Sequence, residues 1–267
     1  MPPHRIALGV EYAGTHYCGW QYQPHCDSVQ GALAEALAFI ADETVDLHCA
    51  GRTDTGVHAL GQVAHFDTHA DRPAKAWVQG VNTRLPSDIR VVWAQAVAPP
   101  FHARFSAMAR SYRYVILNRP VASAHLADQV TWERTPLNEQ AMHQAAQSLV
   151  GEQDFSSFRA AGCQANHARR EVQAVTVTRQ DDFVLIDVRA NAFLHHMVRN
   201  LVGTLMEIGR AERPVSWVGE LLALQDRTRA GKTAPASGLY FINAFYPPEW
   251  SIPQMSLDAR LWECSHG

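Results

Sequence analysis

Lysine is almost missing from this chain: of the 23 basic residues only Lys75 and Lys232 are lysine, and the remainder are arginine. Positive charge is therefore carried by planar guanidinium forks, which suit phosphate and base stacking better than a compact, strongly hydrated ammonium does. The net charge of −3 excludes a global positive field. Acid is missing locally, with none between Asp88 and Asp128, while Arg90, Arg104, Arg110, Arg113 and Arg119 fall inside that gap, interleaved with Phe101, Phe105, Tyr112 and Tyr114. A basic and aromatic segment of this kind suits RNA, where phosphates are neutralised and bases stacked. The competing reading is an ordinary strand with a solvated arginine face.

Long apolar runs are missing too. No stretch stays apolar for the ~18 residues a membrane helix needs, and no apolar leader precedes the strand-like run that starts at Arg5. The expectation is a cytoplasmic protein without membrane contact. The five cysteines, Cys18, Cys26, Cys49, Cys163 and Cys264, are odd in number and contain no C-x-x-C pair, so neither a disulfide framework nor a zinc knuckle is signalled. What is present is core-forming material. With 47% hydrophobic and 18% charged residues in 267, the chain is globular rather than disordered and can fill one large core or two modest ones.

Periodicity predicts a strand over 5–12 and a helix from Ser28, with Val29, Leu33, Ala36, Leu37 and Ile40 on one face. Strands over 44–50 and 62–66, a helix from Pro73 to about Thr83 and a strand over 89–97 complete a β-α-β-β-α-β order. A second round follows: a long strand over 105–117, a helix over 137–150, strands over 171–178 and 183–190, a helix over 193–210 and a terminal strand over 239–245. This is the ferredoxin-like order twice, interrupted by a helix over 216–224 and a Pro/Ala/Gly-rich loop over 230–238. The fold class expected is α+β, with two ferredoxin-like halves, residues 1–99 and 100–267, meeting at Pro99-Pro100. Two such sheets joined side by side would leave a cleft between them, a favoured place for a binding site.

The run Ala50-Gly51-Arg52-Thr53-Asp54-Thr55-Gly56-Val57-His58-Ala59 sets one carboxylate between an arginine and two glycines, just after a strand-like segment. Glycines let a turn take unusual backbone angles and leave room for a ligand, and donors from Arg52 and Thr53 favour an ionised carboxylate able to act as nucleophile or base. As a bare pattern it is also an ordinary surface turn. Asp54-Thr55-Gly56 spells the aspartic-protease tripeptide, but that chemistry needs a second carboxylate from a second such motif, and none follows. Gly231-Lys232-Thr233 resembles the end of a phosphate-binding P-loop, yet Asp226 stands where the first glycine is required. His195-His196 and the loose set His58, His65 and His69 lack metal-ligand spacing, and a structural or RNA-contacting role suits them better.

Taken in order, Glu11-Tyr12-Ala13-Gly14 through Gly19-Trp20-Gln21, the Asp54 run, Phe101-His102-Ala103-Arg104-Phe105-Ser106-Ala107, Arg110-Ser111-Tyr112-Arg113-Tyr114, Asp154-Phe155-Ser156-Ser157-Phe158, Asn191 through Asn200 and Ala234-Pro235-Ala236-Ser237-Gly238-Leu239 resemble the TruA family of tRNA pseudouridine synthases over nearly the whole chain. The resemblance implies isomerisation of uridine to pseudouridine at positions 38 to 40 of the tRNA anticodon stem-loop, without cofactor or catalytic metal, by a homodimer, and two ferredoxin-like halves sharing a continuous, mostly antiparallel sheet with the active site in a central cleft. It implies Asp54 as the essential nucleophile or base, Tyr112 stacked on the uracil and handling the C5 proton, Arg199 paired with Asp54, and Leu239 as an apolar wall. Arg52 would fill the space of a flipped nucleotide or hold its phosphate, Arg104, Arg110 and Arg113 would contact the RNA backbone, and His196 would touch substrate. Thr55 stands where alanine is also familiar, and the tail after Trp250 matches nothing in the family pattern and is expected to be a surface appendage.

Overall fold

The computed structural model describes residues 3–254; the expectation for the tail concerns mostly residues 255–267, which lie outside the described residues. By compactness the described chain forms two units, one taking residues through Arg110 together with the stretch from Tyr240, the other taking Ser111–Leu239. The fold is mixed α+β, and the sheet pairings are mostly antiparallel.

In the first unit the strand order is β4-β1-β3-β10, formed by β1 (His4–Tyr12), β3 (His58–Thr68), β4 (Ile89–Val97) and β10 (Leu239–Phe245), with the short β2 (His48–Cys49) paired to β3. β1 runs antiparallel to both β3 and β4, and its register slips between Val10 and Tyr12 on the β3 side. β10 joins β3 in parallel, Tyr240 opposite His58 and Phe241 opposite Ala59. Helix α1 (Val29–Ala41) forms where the spacing predicts it: the Ser28 hydroxyl accepts the Gly31 N–H, Val29, Leu33, Ala36 and Leu37 are buried, and Asp42 ends it in the left-handed region. Leu8, Leu33, Leu37, Phe66, Trp77 and Ile89 are fully buried in this unit, with the Trp77 ring edge-on to Phe66 at 5.2 Å.

The second unit orders its strands β5-β9-β8-β7, using β5 (Ala109–Asn118), β7 (Gly151–Asp154), β8 (Arg169–Gln180) and β9 (Phe183–Ala190), with β6 (Thr131–Glu133) parallel to β5. Three helices accompany them, α2 (Glu139–Ala146), α3 (Met197–Gly209) and α4 (Trp217–Leu224). α3 is buried on nearly every side. Gly203 explains how: a Cβ there would stand 1.7 Å from the Lys232 carbonyl oxygen, so only glycine lets the 230–238 loop lie against the helix.

Several boundaries differ from the pattern reading. The strand expected over 44–50 keeps only His48–Cys49. The one expected from residue 105 begins at Ala109, because the Ser106 hydroxyl and His102 amide bond to each other and turn the chain. The helix expected from Phe193 begins at Met197, after His196 takes a left-handed conformation with φ 58°. Strands β6 and β7 carry too little periodic pattern to be expected. The cysteine reading also needs correcting: Cys18 and Cys26 are joined as a disulfide, their Cα atoms 6.3 Å apart. The fold-back that brings them together is set by the Cys18 N–H to Asp27 carbonyl bond of 2.9 Å and a bridge between Gln23 and Cys26, which no cysteine spacing announces. Among the described residues no helix is long and apolar enough to cross a membrane.

Candidate functional site

Asp54 sits half-buried in the first unit, in the connection between β2 and β3. The chain leaves β2 with the Ala50 N–H on the Val63 carbonyl at 2.8 Å, and Gly51 is gripped by the Gln62 amide, which donates to its carbonyl at 2.6 Å and accepts from its N–H. The next residue but one, Thr53, is buried and doubly held. Its hydroxyl meets the buried Tyr12 hydroxyl at 2.8 Å, and its carbonyl accepts the Trp20 N–H at 3.0 Å. The Asp54 carbonyl accepts the Val57 N–H at 3.1 Å, closing the turn. The carboxylate is thus presented from a turn whose neighbours on both sides are tied down, with Arg52 and Thr55 exposed beside it. Such bracing holds a side chain near one geometry without help from a ligand.

The first quoted motif supplies the frame. Gly19 has φ +92°, and a Cβ there would lie 2.4 Å from the Thr53 carbonyl oxygen and 2.9 Å from the Asp54 carbonyl carbon. Glycine is required both by that angle and by that approach. Behind the turn, the Gly14 N–H donates to His58 Nδ1 at 3.1 Å, and the buried His58 ring stacks on Tyr240 at 4.7 Å. Tyr12, Gly19 and Trp20 support the Asp54 turn, yet pattern reading assigned them no role. The signal was their co-occurrence with the Asp54 run, and the contacts themselves are non-local.

Arg104 and Arg110 belong to the same unit. Arg104 is exposed, with its guanidinium 5.5 Å from the Phe105 ring centroid. Arg110 turns inward: it donates to the Ala50 carbonyl at 3.1 Å, to the Ala107 carbonyl at 3.1 Å and to the Arg104 carbonyl. It thereby bonds the 101–107 segment to the chain entering the Asp54 turn.

In the second unit, Tyr112 lies on β5, only 9% exposed, with its ring edge-on to Phe193 at 4.9 Å. Arg113 is equally buried and forms a two-pronged ion pair with Asp187 on β9, at 2.8 and 3.0 Å. Arg199 on α3 and Ala234 exchange bonds, Nε to the Ala234 carbonyl at 2.8 Å and the Ala234 N–H to the Arg199 carbonyl at 3.1 Å. The loop that carries Ala234 is itself clamped. Arg227 donates to the Asn200 side chain at 2.9 Å, the Thr233 hydroxyl at 3.0 Å and the Gly231 carbonyl at 3.0 Å, and Thr233 donates to Asn200 at 2.7 Å. The Gly231-Lys232-Thr233 run is therefore a packed loop on α3. Leu239 is buried after that loop, whose Pro235 carbonyl accepts the buried Tyr114 hydroxyl at 2.8 Å; burial pushes that hydroxyl's pKa up. The His196 ring lies against that of His195, tilted by 38° with centroids 4.0 Å apart. Asp54, Arg52, Arg104 and Arg110 are thus gathered in one unit and Tyr112, Arg113, His196, Arg199 and Leu239 in the other.

A family model described as tRNA pseudouridine synthase matches residues 9–106 and 145–247. The tRNA pseudouridine synthase A of Hydrogenovibrio crunogenus is 65% identical over 258 residues, covering 97% of this chain and 98% of that protein. The protein of the same description from Glaesserella parasuis is 53% identical over 95% of this chain and 97% of its own. Among solved structures, the archaeal box H/ACA sRNP Nop10-Cbf5 complex aligns at TM-score 0.34 and 12% identity, over 89% of this chain and 48% of that one.

Proposed function

The chain belongs to the tRNA pseudouridine synthase family, and we propose that it isomerises uridine to pseudouridine at positions 38, 39 and 40 of the tRNA anticodon stem-loop, with Asp54 as the reactive carboxylate. The observation that carries the assignment to Asp54 is the braced turn, in which Thr53 is fixed by Tyr12 and Trp20 immediately before the carboxylate.

The reaction breaks the N1–C1′ bond, rotates the freed uracil and joins C5 to C1′; the C5 proton leaves and N1 gains one. Asp54 attacks the sugar, attacks the base or removes the C2′ proton, three routes that share the need for an ionised, oriented carboxylate. In this reading Arg199 pairs with Asp54 and keeps it ionised, Tyr112 stacks on the uracil and handles the C5 proton, Leu239 walls the base and His196 touches substrate. A paired uridine must leave its stack, at a cost of roughly a few kcal/mol, and Arg52 holds the phosphate or fills the space. Arg52 and Arg104, both exposed, contact phosphates. Arg110 and Arg113 also contact the RNA backbone in this reading; in the RNA-free protein Arg110 donates to the Ala50 carbonyl and Arg113 to Asp187. The enzyme works without cofactor or metal, in the cytoplasm, as a homodimer; sedimentation at the mass of one chain, 29.6 kDa, would remove the dimer.

The test is incubation of purified protein with chelator and an unmodified tRNA carrying uridine at all three positions, followed by mapping of pseudouridine. Conversion by the wild type and none by Asp54→Asn, with tRNA affinity kept, is expected. Conversion by Asp54→Asn at the wild-type rate would remove Asp54 from the chemistry, and binding without any conversion would leave an RNA-binding module.

A further inference from the structure

The segment 101–107 of the first unit combines a fixed backbone with an exposed aromatic ring. Phe101 and Ala103 are buried, and the Ala103 carbonyl accepts the Tyr246 hydroxyl at 2.6 Å while the Phe101 carbonyl accepts from Arg5 at 2.7 Å. Two imidazoles receive its amides: the Ala103 N–H goes to His65 Nδ1 at 3.2 Å, and the Arg104 and Phe105 N–H groups go to His102 Nδ1 at 3.1 and 3.3 Å. With the Arg110 bonds to Arg104 and Ala107, the turn is held from below at almost every residue. Yet Phe105 is 74% exposed, the most exposed of the large hydrophobic side chains among the described residues. Its ring lies against the His102 ring at 4.3 Å, with the Arg104 guanidinium at 5.5 Å.

A solvent-facing phenyl ring on an immobilised turn keeps one π-face open at little entropic cost on binding. Base-on-aromatic stacking uses that feature, and it tolerates any base because every base has a π-face. Charge complementarity selects nucleic acid as the occupant: Arg104 is exposed beside the ring, and the sequence from Asp88 to Asp128 contains no acid between those two residues. The position is also tied to the reactive turn, since Arg110 joins the Arg104 carbonyl to Ala50 at the entry to the Asp54 run.

We propose that Phe105, flanked by Arg104 on its histidine-seated turn, is a stacking platform for an unpaired base of the substrate tRNA. The contact rests on the functional reading above. It makes Phe105 a binding residue that positions the RNA, separate from the groups that act on the reacting uridine.

The experiment measures tRNA affinity, steady-state kinetics and thermal melting for wild type, Phe105→Ala, Phe105→Leu and Phe105→Trp. Loss of the ring is expected to weaken tRNA binding about tenfold, which corresponds to about 1.4 kcal/mol, and to raise KM with kcat at saturating tRNA and the melting temperature unchanged. Phe105→Leu should remain weak and Phe105→Trp should restore affinity, with added quenching of tryptophan fluorescence by tRNA. Wild-type affinity in Phe105→Ala, or rescue by leucine equal to rescue by tryptophan, overturns the proposal. So does a change in the sedimentation of RNA-free Phe105→Ala, which would make the ring a contact with a second copy. If the wild type converts no uridine while Phe105→Ala still weakens tRNA binding, the catalytic reading fails and the stacking contact stands.

Discussion

Asp54 is held in place through its neighbour. The Tyr12 and Thr53 hydroxyls share a buried bond, and removing one partner of such a pair costs about 1–3 kcal/mol. Tyr12→Phe keeps the ring and deletes only the hydroxyl, with its bonds to Thr53 and to the Gln62 side chain. It is expected to lower kcat for pseudouridine formation with KM for tRNA unchanged, alongside a modest drop in melting temperature; unchanged kcat would separate the bond from the chemistry. His65 sets a pH dependence. Burial first, then the nearby His102, Arg5 and His48, hold its pKa down to about 3 from 6.5, against a small opposing pull from Asp67. The folded form binds its proton less readily than the unfolded chain, so the stability His65 contributes is complete above pH 6.5 and is lost as pH falls from there toward 3. Melting temperatures of the wild type should therefore fall more steeply below pH 6.5 than those of His65→Asn, whose side chain accepts a bond without titrating. Parallel curves would contradict this. At this scale the sequence offers a candidate where local pattern singles one out, as the flanking glycines do for Asp54, and is opaque where a contact is distant, as with Gly19 against Thr53.

Elements were legible where local pattern and capping agree. α1 begins after Ser28 because spacing and cap point to the same residue. β5 was expected too early because arginines and aromatics alternate before it, although those residues belong to the histidine-seated turn. The start of α3 was misplaced because Phe193 and Leu194 continue its apolar stripe, while His196 breaks the helix geometry. α3 and the 230–238 loop act as one part, since Arg199 and Ala234 hold each other and Gly203 admits the Lys232 carbonyl. Gly203→Ala must push that carbonyl away, with an overpacking cost of typically about 1–3 kcal/mol, and must shift the acceptor of Arg199. Lower melting temperature with turnover down about tenfold to a hundredfold is expected in the same pseudouridine assay. Wild-type turnover would show that the loop does not set Arg199.

At the scale of the whole molecule, two rounds of strand and helix could be read from periodicity, whereas the parallel placement of β10 beside β3 could not, because nothing local in Leu239–Phe245 names its partner. Family membership, by contrast, was legible over nearly the full length, because its motifs recur in order from Glu11 to Leu239. The proposed exchange replaces the N1–C1′ bond of a tRNA uridine with C5–C1′ through Asp54. Since the C5 hydrogen must leave in that exchange, tRNA transcribed with uridine tritiated at C5 reports the reaction directly. Wild-type protein, with chelator present, is expected to release tritium to water in an amount matching the uridines converted, while Asp54→Asn binds the same tRNA and releases none. Tritium release by Asp54→Asn at the wild-type rate, or none by the wild type from a bound tRNA, would contradict the proposed exchange.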